Sequence, residues 1–464
     1  MEFIKNQKYT TEITDIGING EGIGRTDGFT VFVNNALPGE KAEVLMMKVK
    51  KNYGYGKLTR IITPSPDRVK PLCPIADKCG GCSLQHLAYP AQLKFKQALV
   101  RENLRRIGGF EGIDVLPVID MDEPYYYRSK GQYPVSFDKK QKKPNIGFYA
   151  RASHRVIDCG RCFIADKCNE EIITLLRTFI GKNNIPVYSE ETHSGLIRHI
   201  LIRNGANTGE IMVCLVVNGR NFKYKNELVN ALSGVKGIKS IVINYNTEKT
   251  NVILGKKCET VFGSDSITEK IGGLKFNISP LSFFQVNPTQ TEKLYSAALE
   301  FAGLTGSETV IDAYCGTGSI TLFLAQRAKR VFGVEIIPEA IENAKANAAQ
   351  NGITNAEFFC GSSEEAVPKL YEERGISPDV MVVDPPRKGC EASLLELFLK
   401  MQPKRIVYVS CDSATLARDL KILCENGAYR VEKVQPVDMF PHGMHIENVA
   451  LLIKNNEVDL KEQL

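Results

Sequence analysis

The chain has 464 residues, of which 43% are hydrophobic and 24% charged, an ordinary globular balance spread over a length that calls for about three domains. No apolar run approaches the roughly 20 residues that cross a bilayer, and the first residues lack the apolar stretch of a signal peptide, so a membrane span is not expected and a cytoplasmic location is. The net charge of +6 is too mild to demand a nucleic-acid partner by itself, but it is unevenly distributed.

Residues 1–62 carry short β-rich runs (TTEITDIGI, FTVFVNNAL, AEVLMMKVK, YGKLTRIIT) punctuated by glycines, which predicts a small OB-like barrel, a shape used to grip single-stranded nucleic acid. Its stretch Lys48–Lys57, KVKKNYGYGK, interleaves lysine with tyrosine. That pattern suits phosphate contact and base stacking, and it suits a solvated loop between strands equally well. Prolines at 64, 66, 71 and 74 mark a linker.

Thirteen cysteines are many for a compartment where disulfides rarely persist. Cys214, Cys258, Cys360 and Cys424 read as small core residues. Cys73, Cys79 and Cys82 instead have metal-ligand spacing. The segment AQLKFKQALVRENLRRIGGF then predicts an amphipathic helix near 91–107, ended by Gly108 and Gly109 and able to pack on the C-terminal domain. From Tyr125 to Arg155 eight cations (Arg128, Lys130, Lys139, Lys140, Lys142, Lys143, Arg151, Arg155) face Asp138 alone, with five tyrosines and two phenylalanines among them. Exposed rings and cations together predict an RNA-facing surface. The runs RHILIRN, EIMVCLVVN, IKSIVINY and TNVILG predict an antiparallel sheet that completes a central α+β domain, residues 70–280.

From 281 to 464 strands and helices alternate, which predicts a doubly wound parallel sheet. Asp312-Ala-Tyr-Cys-Gly316-Thr-Gly318 follows a strand and opens a helix, and Glu335 ends the next strand, where a carboxylate can hold ribose hydroxyls. Thr321 stands where a dinucleotide fingerprint wants its third glycine; the pair fits an adenosyl cofactor without a pyrophosphate. Asp384-Pro-Pro-Arg387 ends a further strand, and Arg387 replaces the ring with which amino-methyltransferases clamp a base. Ser410-Cys411-Asp412 ends another, on the edge where catalytic residues collect. A thiolate adding to carbon 6 of uracil would make carbon 5 nucleophilic enough to take a methyl group, and a base must then remove the carbon 5 proton. Glu447, in Phe440-Pro-His442-Gly-Met-His445-Ile-Glu447, is a candidate base, while at least one of His442 and His445 reads as structural.

These motifs, with Ser282-Phe-Phe-Gln285-Val-Asn-Pro288 before them, resemble in order and spacing the RNA uridine-5-methyltransferase family over about 165 residues. The resemblance extends upstream: residues 1–62 look like the TRAM domain of the ribosomal RNA branch, and Cys73, Cys79 and Cys82 look like that branch's iron–sulfur ligands. It implies Cys411 as nucleophile and Glu447 as proton acceptor, with Gln285, Tyr314, Glu335 and Asp384 contacting S-adenosylmethionine or the base. Ser319 and Ser362 fall at further cofactor positions. The family often has Asp-Pro after its cysteine; Asp412-Ser413 here is expected to alter only turn rigidity. For the fourth ligand of a 4Fe-4S cluster the choice lies among Cys159, Cys162 and Cys168, with the family's segment favouring Cys162. From spacing alone zinc on Cys73, Cys79, Cys82 and His86 competes. The resemblance implies a monomer that methylates 23S rRNA; the alternatives are the T-loop uridine of tRNA, and a non-catalytic iron–sulfur protein of RNA binding or ribosome assembly.

Overall fold

A computed structural model describes residues 3–26 and 28–455; residues 1, 2, 27 and 456–464 of the expected domains lie outside the described residues. Strands Lys8–Ile16, Gly22–Thr26, Phe29–Asn34, Lys41–Val49 and Tyr53–Thr63 close into a barrel. Alternation explains it: Val31, Val33, Val44 and Met46 point inward and are fully buried, while their neighbours face solvent. The barrel is tied to the following linker by Glu40, 1% exposed, whose carboxylate accepts a forked pair of bonds from Arg68 at 2.5 and 2.9 Å.

The central sheet has seven strands, Lys257–Gly263, Ile238–Tyr245, Ile211–Val217, Ile197–Asn204, Lys130–Asp138, Lys143–Tyr149 and Val156–Asp158 in spatial order. Helices Cys168–Lys182 and Lys225–Leu232 cover one face through a core of Ile172, Leu176, Ile200, Ile202, Val213 and Leu228. Three expectations fail here. The sheet is not wholly antiparallel: Ile211–Val217 and Ile238–Tyr245 run parallel, because the helix Lys225–Leu232 between them makes a crossover connection. TNVILG is not a strand. The side chains of Asn244 and Asn246 take its backbone groups instead, Asn246 donating to the carbonyls of Val252 and Ile253 at 2.7 and 2.9 Å and Asn244 bonding both sides of Gly255 at 2.7 Å. The rings between Tyr125 and Arg155 are mostly not exposed. Tyr133 is 2% exposed and lies in the sheet's core, Tyr127 is buried, Tyr125 stacks on His442 at 4.4 Å, and Phe137 alone is largely open to solvent. The lysines at the hairpin tip, 139–143, remain exposed.

The C-terminal sheet orders Ala356–Cys360, Arg330–Glu335, Thr309–Asp312, Val380–Val383, Arg405–Ser410, Glu447–Lys454 and Tyr429–Val437. The first five and the last run in one direction, and Glu447–Lys454 runs antiparallel between its two neighbours. Hence Asp312, Glu335, Asp384 and Cys411, at the ends of parallel strands, share one edge with Glu447, which begins an antiparallel one. The helix Tyr89–Arg106 belongs by packing to this unit: Val100 and Leu104 enter its core, and Asn103 donates to the Ser413 hydroxyl at 2.8 Å. Cys360, expected in a core, is exposed at the end of its strand.

Candidate active site

Cys411 leaves the strand Arg405–Ser410 one residue before Asp412, which caps the helix Ser413–Cys424: its Oδ1 accepts from the backbone of Ala414 at 2.8 Å and Thr415 at 3.2 Å. The thiol therefore sits at the positive end of a helix, which favours a thiolate. Burial opposes it, followed by the nearby Glu447 and Asp384 carboxylates, and pushes the thiol up to about 11; Arg387 is the cation that pulls it back. Ser413 does more than loosen a turn, since its buried hydroxyl receives a bond from Asn103 of the packed helix Tyr89–Arg106.

Glu447 is 4% exposed and raised to about 8, first by burial and then by Asp384, against Arg387. Asp384 is raised to about 7 by burial and by Asp312, and Asp312 to about 6, mainly by burial although Thr321 donates to it at 2.6 Å. Cys411, Glu447, Asp384 and Asp312 thus stand in a chain, all raised by burial, the first three also by the next acid along it and Asp312 by Glu335, with the Arg387 guanidinium facing Cys411 and Glu447. Arg387 also lies 3.3 Å from Nε2 of the exposed His445. His442 is the structural histidine, buried at 2% with its ring 3.2 Å from the Gln92 amide.

The cofactor candidates line the same edge. Glu335 accepts the backbone N–H of Gly316 at 3.2 Å and of Ile337 at 2.9 Å. Gly316 has φ +54°, and a Cβ there would meet nothing within 4 Å. Backbone conformation therefore requires its glycine, and open space remains beside it for a ligand. Tyr314 is half-buried, donates to Glu364 at 3.3 Å and is raised by burial. Ser319 shares a 2.7 Å bond with the buried Tyr295 hydroxyl, and Ser362 caps the helix Ser363–Glu372 without a side-chain bond. Gln285 lies half-buried on the loop before the helix Pro288–Ala302; Arg203 holds that loop through the Ser282 carbonyl, and Ser129 does so through Val286, its N–H donating at 2.7 Å.

Sequence reasoning missed three contributors. Ile336 and Ile337 stay 63% and 53% exposed beside Glu335, an apolar surface at a polar edge. Tyr295 is buried among Asp312, Asp384 and Glu447. Most consequential is the grip on residues 438–443. Lys96, fully buried, donates to Asp438 at 2.6 Å and to the Phe440 carbonyl at 3.0 Å. Gln92 accepts from the His442 N–H at 3.0 Å, Ser83 and Leu84 donate to its carbonyl at 2.9 Å, and Tyr127 donates to Pro441 at 3.0 Å. The one available signal was spacing: Gln92 and Lys96 lie on the same i, i+4 stripe as the core residues Val100 and Leu104.

The cysteines converge without closing a cage. Among the described residues no three His, Cys, Asp or Glu side chains stand in metal-holding geometry. Burial nevertheless raises all four thiols of Cys73, Cys79, Cys82 and Cys162, and Cys162 raises each of the other three further, as it does Cys159. Each sulfur also receives an N–H bond, from Ile75, Gly81, Gln85 and from both Ile164 and Ala165 respectively. Cys159, though close, gives its thiol to the Arg161 carbonyl at 3.2 Å, and Cys168 faces Asn204. His86 is surrounded by Arg68, Arg151 and Glu40.

The parallel sheet with its acidic carboxyl-end edge defines a Rossmann-like methyltransferase fold carrying an added barrel. Residues 249–455 match the family model for tRNA (Uracil-5-)-methyltransferase and residues 3–59 that for the TRAM domain. The chain is similar to uncharacterized RNA methyltransferases of Clostridium tetani, 52% identical over 97% of this chain and 96% of the relative, and of Clostridium acetobutylicum, 54% identical over 97% of each. It is also similar to the crystal structure of Pyrococcus abyssi tRNA (uracil-54, C5)-methyltransferase in complex with S-adenosyl-L-homocysteine, with a TM-score of 0.75 at 29% identity, covering 96% of this chain and all of that one. The chain belongs to the RNA (uracil-5-)-methyltransferase family, in a form that carries a TRAM domain.

Proposed function

We propose that the protein transfers a methyl group from S-adenosylmethionine to carbon 5 of a uridine in 23S rRNA by covalent catalysis through Cys411. The observation that carries the reading is the meeting, on one sheet edge, of a thiol at a helix N-terminus with a buried carboxyl whose proton affinity is raised to about 8. The edge fits the methyl donor: a chain of buried acids with one cation suits a sulfonium, and the open cradle at Gly316 with the Glu335 carboxylate suits an adenosine. Gln285, Tyr314, Glu335 and Asp384 would hold it or the base. S-adenosylmethionine supplies an electrophilic methyl group when bound.

The residues then divide the work. Cys411, drawn toward its thiolate by Arg387 and the helix terminus, adds to carbon 6 of an unstacked uridine, and the electrons displaced from the 5,6 double bond make carbon 5 the nucleophile. After methylation Glu447 takes the carbon 5 proton, the double bond re-forms and the thiolate leaves. Burial serves Glu447, because a base with affinity near ambient pH is better matched to a weakly acidic carbon than an ordinary carboxylate.

Cys73, Cys79, Cys82 and Cys162 would hold a 4Fe-4S cluster. Four sulfurs that each receive N–H bonds support it, and the same bonds favour Cys162 over Cys159, whose thiol is a donor. The charged surroundings of His86 count against zinc. Since methyl transfer needs no electrons, the cluster braces the fold.

Purified 23S rRNA and tRNA, each stripped of 5-methyluridine, decide the address. Methylation of 23S rRNA alone supports it, and methylation of tRNA alone moves the reading to the T-loop uridine. Cys411→Ala should bind RNA and methylate neither; normal methylation by it would remove the covalent mechanism.

A further inference from the structure

The strand Tyr53–Thr63 begins Tyr-Gly-Tyr-Gly-Lys, and the barrel shows what that alternation does. Gly54 and Gly56 point inward, where there is no room for a side chain: a Cβ on Gly54 would lie 2.5 Å from Met46 Cε and 2.8 Å from the Lys48 carbonyl, and one on Gly56 3.2 Å from Val31 and Val44. The outward positions are Tyr53, Tyr55 and Lys57. Tyr53 and Tyr55 are 39% and 44% exposed. On the neighbouring parallel strand Phe32, half-exposed, is the register partner of Tyr55. The three rings form one cluster on the barrel's outer wall, with centroids 5.5 Å apart for Phe32 and Tyr55, 6.0 Å for Phe32 and Tyr53, and 5.9 Å for Tyr53 and Tyr55.

Cations surround it. Lys48 is the register partner of Tyr55 on the other side, Lys57 follows in the strand, Arg25 lies on the next strand but one, and Lys50 and Lys51 form the turn. All five are exposed, and none makes an ion pair among the described residues. Rings that stabilise a barrel point into it; these point out, and the inward positions between and beside them, Gly54 and Gly56, carry no side chain, the strand's core contact coming from Leu58 further on. The opposite end of the second strand also matters. It leaves the turn at Gly20, where a Cβ would lie 2.7 Å from Ser83 Cβ and 3.3 Å from Met444 Sδ in the loop leading to Glu447. Ile23, the partner of Phe32, is three residues on, roughly 10 Å at about 3.3 Å per residue.

We propose that Phe32, Tyr53 and Tyr55 form a stacking platform for unpaired bases of the RNA that flanks the target uridine, with Arg25, Lys48, Lys50, Lys51 and Lys57 holding its phosphates. The proposal rests on RNA being the substrate. Stacking on a ring needs an open base face, so the platform takes single strands and not duplex, and it is tolerant of sequence. It gives the enzyme a preference for a uridine with an unpaired flank.

The test uses the full-length protein and fluorescent RNA in anisotropy titrations over a range of salt, with a single-stranded oligouridylate against a duplex of equal length. Y53A/Y55A should lose about tenfold or more in affinity for the single strand, with little change on duplex and an unchanged salt slope. Y53F/Y55F, which keeps the rings, should bind as the native protein does. K48A/K57A should instead flatten the salt slope by about 0.7 per lysine removed. Y53A/Y55A that melts like the native protein and binds the single strand equally well overturns the platform, as does equal loss on duplex. A native enzyme that makes no 5-methyluridine in any RNA, yet shows the ring-dependent loss, would sink the catalytic reading and leave the platform standing.

Discussion

At the scale of the residue, Glu447 is where pH enters. Its folded affinity for a proton, near 8, lies well above the ordinary 4.5. The neutral carboxyl therefore contributes stability that is fully present below about pH 4.5 and is lost as pH rises through about 8, where the folded site must accept a buried charge. As a base Glu447 works only when deprotonated, so the rate of proton removal should climb across the same window. The two consequences separate experimentally. E447Q should melt above the native protein at pH 8, at about 2–4 °C per kcal/mol, with the difference gone at about pH 4; equal melting at pH 8 would mean the carboxyl is not strained by ionisation. Cys411, Asp384 and Glu447 were legible in the sequence because strand ends announce themselves through a β-rich run followed by polar residues. The bond that Ser413 accepts from Asn103 was not, since a hydroxyl's partner 310 residues away leaves no trace in local pattern.

At the scale of the element, the helix Tyr89–Arg106 and the loop after Cys82 hold the loop that leads to Glu447. Lys96 and Asp438 form a fully buried ion pair. Removing one partner of such a pair costs about 3–5 kcal/mol, whereas replacing both with apolar side chains is often neutral. K96M should accordingly lower the unfolding free energy from denaturant titration by that amount, and K96M/D438L should recover most of it. No recovery would mean that the bonds from Lys96 to the Phe440 carbonyl carry the stability. Helices and strands of the C-terminal sheet were readable from their alternation along residues 281–464. Where side chains replaced the backbone ladder, as Asn244 and Asn246 do for residues 252–255, periodicity misled. Around Tyr125–Arg155 it failed for another reason: composition reports that rings are present and not which way they face. The barrel's rings are the converse case, because there inward glycines fix the outward side.

At the scale of the whole molecule, the cysteine segment joins three parts. Cys79 bridges to Ala150 at the end of the central hairpin, Cys162 comes from the central domain, and Ser83 and Leu84 bond the active-site loop. A cluster on Cys73, Cys79, Cys82 and Cys162 would therefore lock barrel linker, central domain and active site together. Anaerobically purified C162S should lose bound iron and the broad visible absorbance of the native protein, while C159S should keep both. The reverse pattern would make Cys159 the fourth ligand, and tightly bound zinc in the native protein would replace the cluster. Spacing made Cys73, Cys79 and Cys82 candidates in the sequence, and the family's segment favoured Cys162 as the fourth; the fold brings Cys162 within electrostatic reach of all three.

The central claim is covalent catalysis at carbon 5, and tritium release from RNA labelled at carbon 5 of uridine tests it most directly. The native enzyme with S-adenosylmethionine should release one tritium for each methyl group transferred. E447Q should transfer the methyl group, retain the tritium and accumulate a protein–RNA adduct that survives a denaturing gel, and C411A should neither transfer the methyl group, nor release tritium, nor form an adduct. Methylation by C411A, or tritium release by E447Q at the native rate, would contradict the account.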